Sequence, residues 1–143
     1  MALPVGCATP RRYAKNMKNI LIALITIIAL AGCASARLSK LPKPEGRYSS
    51  AIYAAGSIAF SCDRASTLRD IAAKPDITEA EQIYLVEVLQ VTDGFSGCKK
   101  GVLLSLLKNK AIAEGAKKRL SELLPRLDLF SAHAKEVVDA LAS

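Results

Sequence analysis

Apolar residues in the C-terminal part of the chain recur at helical spacing. Ala134, Val137, Val138 and Leu141 stand at i, i+3, i+4 and i+7, which gathers them into one stripe along an α-helix. Val102, Leu103, Leu106 and Leu107 repeat the pattern, as do Ala116, Leu120, Leu123 and Leu124 with one step changed. The break at Lys74-Pro75-Asp76 is followed by Thr78 and, three residues on, Glu81. That spacing is a capping box, in which the Thr hydroxyl and the Glu carboxylate each satisfy a backbone N–H at a helix start. No alternating Val/Ile/Thr-rich run is bounded by turn residues, so no sheet is expected. The stretch Ile83, Tyr84, Leu85, Val86, Val88, Leu89, Val91 covers more of its helix than a single buried stripe requires. Core between neighbouring helices explains most of it, and a groove for a partner helix is the alternative.

Compared with itself at an offset of 35, the chain shows a repeat. Phe60-Ser61, Phe95-Ser96 and Phe130-Ser131 recur at that spacing, and Leu68, Ile77, Glu79, Leu85, Glu87 and Leu89 find Leu103, Ile112, Glu114, Leu120, Glu122 and Leu124. In a shortened third copy, Val137, Val138 and Leu141 stand where Val102, Leu103 and Leu106 stand in the second. Asp93 and Asp128 each precede a Phe-Ser pair by two residues, a place suited to helix N-caps. The pattern predicts an all-α domain over residues 49–143. It has about five helices, arranged as stacked hairpins of about 35 residues in a short solenoid or as a compact bundle. The period is near that of tetratricopeptide hairpins, but the Trp-Leu-Gly-Tyr pattern of that family is absent.

The first third of the chain reads differently. Arg11, Arg12, Lys15 and Lys18 precede an apolar run from Ile20 to Leu30, and small residues then lead to Cys33. Basic region, short apolar core and small-residue cleavage site are the parts of a secretory signal. The core from Ile20 to Ala31 falls short of the roughly 18–20 residues that span a bilayer. The ending Leu30-Ala31-Gly32-Cys33 resembles the lipobox of bacterial lipoproteins. The resemblance implies removal of residues 1–32, a diacylglycerol thioether on Cys33, and acylation of the new N-terminus. Met17 opens a more typical signal than Met1 does. In lipoproteins of this kind an Asp after the cysteine favours retention in the inner membrane. Ala34 in that place implies the periplasmic leaflet of the outer membrane. Residues 33–48, with Pro42, Pro44, Gly46 and scattered cations, read as the lipidated cysteine and a flexible tether.

Accepting that address changes the charge and the cysteine reading. Four of the twenty basic residues and none of the thirteen acids lie in residues 1–32, so the formal charge falls from +7 to +3. Such a balance does not suggest a nucleic-acid partner. Cys7 leaves with the signal and Cys33 is lipidated, which leaves Cys62 and Cys98 to form one disulfide in an oxidising compartment. Zinc held by Cys62, Cys98 and His133 is the alternative, with no paired-ligand spacing to support it. Residues 60–94 carry a balance of −4 and residues 95–129 one of +5. Lys99, Lys100, Lys117, Lys118 and Arg119 therefore form a candidate face for an acidic partner, or for head-to-tail association of copies.

No catalytic constellation is expected. His133 has no nucleophile motif beside it, Glu79 and Glu81 complement a helix dipole, and no P-loop, dinucleotide fingerprint or calcium loop occurs. No cofactor is expected beyond the covalent lipid. The expected function is a lipid-anchored module that binds another protein of the cell envelope. The alternatives are a pilotin-like escort of a secretion or pilus component, by analogy of scale only, and a self-associating structural lipoprotein.

Overall fold

The structure is a computed structural model that describes residues 37–57 and 62–143. Cys33 and the whole of the signal reading, with Ala34, thus lie outside the described residues. Six helices are present among those residues, and no strand: α1 (Ser49–Ser57), α2 (Cys62–Ala72), α3 (Glu79–Val91), α4 (Ser96–Leu107), α5 (Glu114–Leu123) and α6 (Ser131–Leu141). The α5 helix runs on into a 3-10 turn, Leu124–Arg126. Helix count is the first correction, six in place of about five. The α1 segment was under-read because its buried residues, Ser49, Ile52, Ala55 and Gly56, include only one large apolar side chain.

Packing corrects the hairpin picture as well. Helices that follow one another touch less than alternate helices do. The α2 helix packs chiefly on α4 and α4 on α6, while α1 packs on α3 and α3 on α5. Two rows result, α1-α3-α5 and α2-α4-α6, and the 35-residue offset carries each helix onto its neighbour in the same row. The α3 helix, in the middle of its row, is buried on most of its circumference. Tyr84, Leu85, Val86, Val88 and Leu89 are at most 1% exposed, which explains why its apolar residues exceed one stripe.

Residues 37–48 do not form the free arm expected of a tether. A single turn is closed by Leu41 N–H donating to the Leu38 carbonyl at 3.1 Å, and Leu38 is fully buried in the core. It packs beside Gly56 near the end of α1, where a Cβ would collide with Val88. The chain then runs along α1 to its start, where Tyr48 O–H donates to Asp76 at 2.7 Å and Arg47 pairs with the same carboxylate. Two isolated leucines among prolines give no periodicity, which is why the sequence concealed this docking.

Candidate functional site

The two rows run antiparallel, so the domain has two ends. At one end stand the starts of α1, α3 and α5; at the other, the starts of α2, α4 and α6. Each end is fastened by side chains that cap a neighbouring helix.

At the first end the capping box is formed as the spacing predicts: Thr78 accepts from Glu81 N–H, and the Glu81 carboxylate accepts from Thr78 N–H at 3.1 Å. The same carboxylate also reaches α1. It accepts from Tyr48 N–H at 2.6 Å and from the Ser49 hydroxyl at 3.4 Å. Glu81 has no exposed surface. Burial works to raise its pKa, but the bonds from Thr78, Tyr48 and Ser49 outweigh it and hold the carboxyl below its ordinary value. Gln82 serves the other neighbour. Its Oε1 accepts from Ala113 N–H at 2.9 Å, and its amide donates to the Ala111 and Ile77 carbonyls. Ala113 occupies the repeat position of Thr78 and makes no side-chain cap, so Gln82 supplies from α3 what α5 lacks. Asn109 completes this end by donating to the Ala72 and Lys74 carbonyls, each at 2.8 Å.

At the second end the expected caps are absent. Phe95 and Phe130, not Asp93 and Asp128, hold the N-cap positions of α4 and α6, and neither makes a side-chain cap bond. The aspartates lie two residues too early. Asp128 takes a positive φ of 51°, a left-handed turn that Asp tolerates and that ends the preceding helical segment. Capping of α6 comes instead from the adjacent helix: Phe130 N–H donates to Ser96 Oγ at 2.8 Å, and that oxygen lies 2.7 Å from His133 Nδ1. Sequence reasoning missed this pair because Ser96 and His133 are far apart in the chain; the recurring Phe-Ser motif was its visible trace. A serine beside an imidazole is the arrangement of a nucleophile and its base. Here the serine is buried and engaged by a backbone N–H, and among the described residues no carboxylate is bonded to the imidazole. Its observed work is to fasten α4 to α6.

Cys62 and Cys98 meet at this end in a disulfide, with Cα atoms 5.4 Å apart. The bond ties the first turns of α2 and α4, and it leaves neither sulfur free to join His133 around a metal.

Of the candidate cationic face, the structure removes Lys99. It is 1% exposed, with its ammonium 3.4 Å from the Leu127 carbonyl. Burial lowers its pKa, against the opposing pull of Asp128 and Asp93. A long side chain at a core-facing position therefore hides a charge that the sequence placed on the surface. Arg119 pairs with Glu87 and Glu122, Lys100 with Glu136, and Lys117 with Glu114. Lys118 is exposed on the same helix.

The surface that stands out is apolar and lies at the C-terminal edge of the two rows. Leu124, Val138, Leu141 and Ala142, with Ser121, line an open cleft of about 380 Å³. By the repeat, Leu124, Val138 and Leu141 correspond to Leu89, Leu103 and Leu106, all of which have no exposed surface. Of their counterparts, Leu124 and Leu141 are partly buried against the core, and Val138 is 47% exposed. Lys117 and Lys118 stand four and three residues before Ser121, and Lys135 three before Val138, spacings that put them on the same helix faces as those two lining residues, with Lys117 paired to Glu114.

Among the described residues no helix is long and apolar enough to cross a membrane. Comparison of the chain with protein-family models, with curated proteins and with solved structures gives no match.

Proposed function

We propose that this chain is a lipoprotein, anchored through Cys33 in the periplasmic leaflet of the outer membrane, whose helical domain binds another envelope protein. The observation that carries the binding role is the open apolar cleft lined by Leu124, Val138 and Leu141, with Val138 47% exposed. An apolar cleft with lysines on the same helix faces suits an amphipathic helix with acidic flanks. The lipid signal supports the address, and the cysteine pair agrees with an oxidising compartment. The same face supports a second reading, association with another copy, since a symmetric dimer buries the same patch of both. Escort of a secretion or pilus subunit is a special case of the first reading.

Crosslinking in intact cells tests both. Wild-type protein is compared with Val138→Asp, a change at a half-exposed position that leaves thermal stability near wild type. One abundant envelope protein crosslinked to wild type and lost in the variant establishes a binding module. Self-crosslinked species alone, lost in the same variant, establish self-association. Crosslinks indifferent to Val138→Asp refute this face. Cys33→Ser tests the anchor independently: the protein moves from the membrane to the soluble periplasmic fraction, and a variant that stays in the membrane refutes lipidation at Cys33.

A further inference from the structure

Phe95 and Phe130 are each 72% exposed, and both occupy helix N-cap positions. Ser, Thr, Asp or Asn in those places stabilises a helix by about 1 kcal/mol over residues that cannot cap. Among the described residues, the two most exposed large aromatic side chains thus stand where polar ones suit the helices better. The Phe130 ring lies 5.9 Å from the His133 ring, centroid to centroid, and both phenyl rings still remain largely open to solvent.

Phe130 N–H is bonded to Ser96, the residue after Phe95, so the two phenylalanines stand at the same end of the domain. Phe95 follows Thr92, the C-cap of α3, by three residues. A Cβ placed on Gly56 would lie 3.4 Å from Leu38 and 3.6 Å from Thr92. Buried Leu38 is therefore at this end too. Four residues lie between Cys33 and Leu38, and an extended chain covers at most about 17 Å in those five steps. Leu38 and the aromatic pair thus share one end of the domain, and the chain length limits the anchor at Cys33 to that reach from Leu38.

We propose that this end rests on the membrane, with the Phe95 and Phe130 rings in the headgroup region of the bilayer that holds the Cys33 lipid. The inference builds on the lipoprotein reading above. Exposed Asp93 and Asp128 flank the rings, while exposed Arg37 adjoins Leu38 and exposed Arg126 precedes Phe130 by four residues, so charge at this end is mixed and the two rings supply the apolar contact with the interface. The geometry also turns the apolar cleft sideways to the membrane rather than against it, because the cleft lies on the last unit of the rows and not on their ends.

The chain contains no Trp, so a single introduced Trp reports its own surroundings. Phe95→Trp and Phe130→Trp are made in the full-length, lipidated protein, with Lys110→Trp, at the opposite end, as the reference. Each is reconstituted in phosphatidylethanolamine/phosphatidylcholine vesicles, with and without brominated acyl chains. Blue-shifted emission and bromine quenching are expected for the first two and absent for the third, and they persist at high salt. Water-like emission from all three, in protein that still floats with the vesicles, overturns the proposal and leaves the anchor intact. Failure to float overturns the lipoprotein reading itself. Shielding of the two probes in cell envelopes but not in vesicles also overturns it, in favour of a protein covering the rings.

Discussion

Replacing Glu81 by Gln alters one atom of the side chain and removes one charge, yet it strikes at two helix starts. In the wild-type protein one carboxylate oxygen accepts from Tyr48 N–H and the Ser49 hydroxyl, and the other from Thr78 N–H and the Thr78 hydroxyl. A Gln oxygen serves one of these pairs, and its NH₂ then faces donors on the other side. At least one buried backbone N–H loses its partner, at about 1–3 kcal/mol, and the bonds that survive lose the assistance of the charge. The sum is roughly 3 kcal/mol, a large part of the 5–15 kcal/mol that stabilises a typical domain. Urea denaturation followed by circular dichroism at pH 7 measures it directly, and thermal melting should show a loss of about 10 °C. The pH dependence supplies a second reading. The folded pKa of Glu81 lies below its ordinary value. Its stabilisation is therefore complete above the unfolded value near ~4.3 and disappears as pH falls through the folded one. Glu81→Gln flattens that part of the acid limb and leaves the share of Asp76, whose pKa is lowered mainly by the bond from Tyr48. A variant within about 0.5 kcal/mol of wild type, the scale of ordinary surface substitutions, or one with an unchanged acid limb, refutes the shared-cap argument.

Two further changes test other parts of the fold. The disulfide closes a loop whose ends are 36 residues apart, so reduction, or Cys62→Ser with Cys98→Ser, is expected to cost about 3–4 kcal/mol on the chain-entropy model. A guanidinium midpoint indifferent to reductant contradicts this. Lys99→Met keeps the buried stem and removes the charge, and is expected to be neutral or stabilising at pH 7. Because burial lowers the folded pKa of Lys99, the wild-type unfolded state binds the extra proton. Wild-type stability accordingly rises relative to the variant as pH increases from the folded value towards the ordinary one. A stability difference between the two that does not change over that window refutes a titrating, buried Lys99.

What the sequence disclosed was local or periodic. The capping box at Thr78 and Glu81 is spelled out in four residues, and the stripes around Leu103, Leu120 and Val137 follow from helical spacing. The 35-residue offset was legible because Leu85 and Leu120 take equivalent, fully buried places in neighbouring helices of one row. The rest depends on partners remote in the chain. Nothing near Gln82 shows that its amide stands in for a cap missing at Ala113, and nothing near Ser96 points to Phe130 and His133. Lys99 was misread because a charge in a sequence suggests solvent, whereas a four-carbon stem can cross a core to reach a carbonyl. Val138 was visible only as a member of a stripe, and its exposure required the packing of the rows.

Glu81 and Gln82 are neighbours in sequence, and between them they close the starts of three helices. Simple repeat arrays grow and shrink by whole units in evolution, because each unit carries its own terminating signals and touches only the next. Here the unit containing Ala113 has given up its signal and borrows one from the unit before it, while α1 borrows from the unit after it. Deleting the central unit removes the caps of both survivors, and duplicating the last one copies a helix without a cap of its own. The shared caps therefore tie each unit to its neighbours, and the described units are not interchangeable.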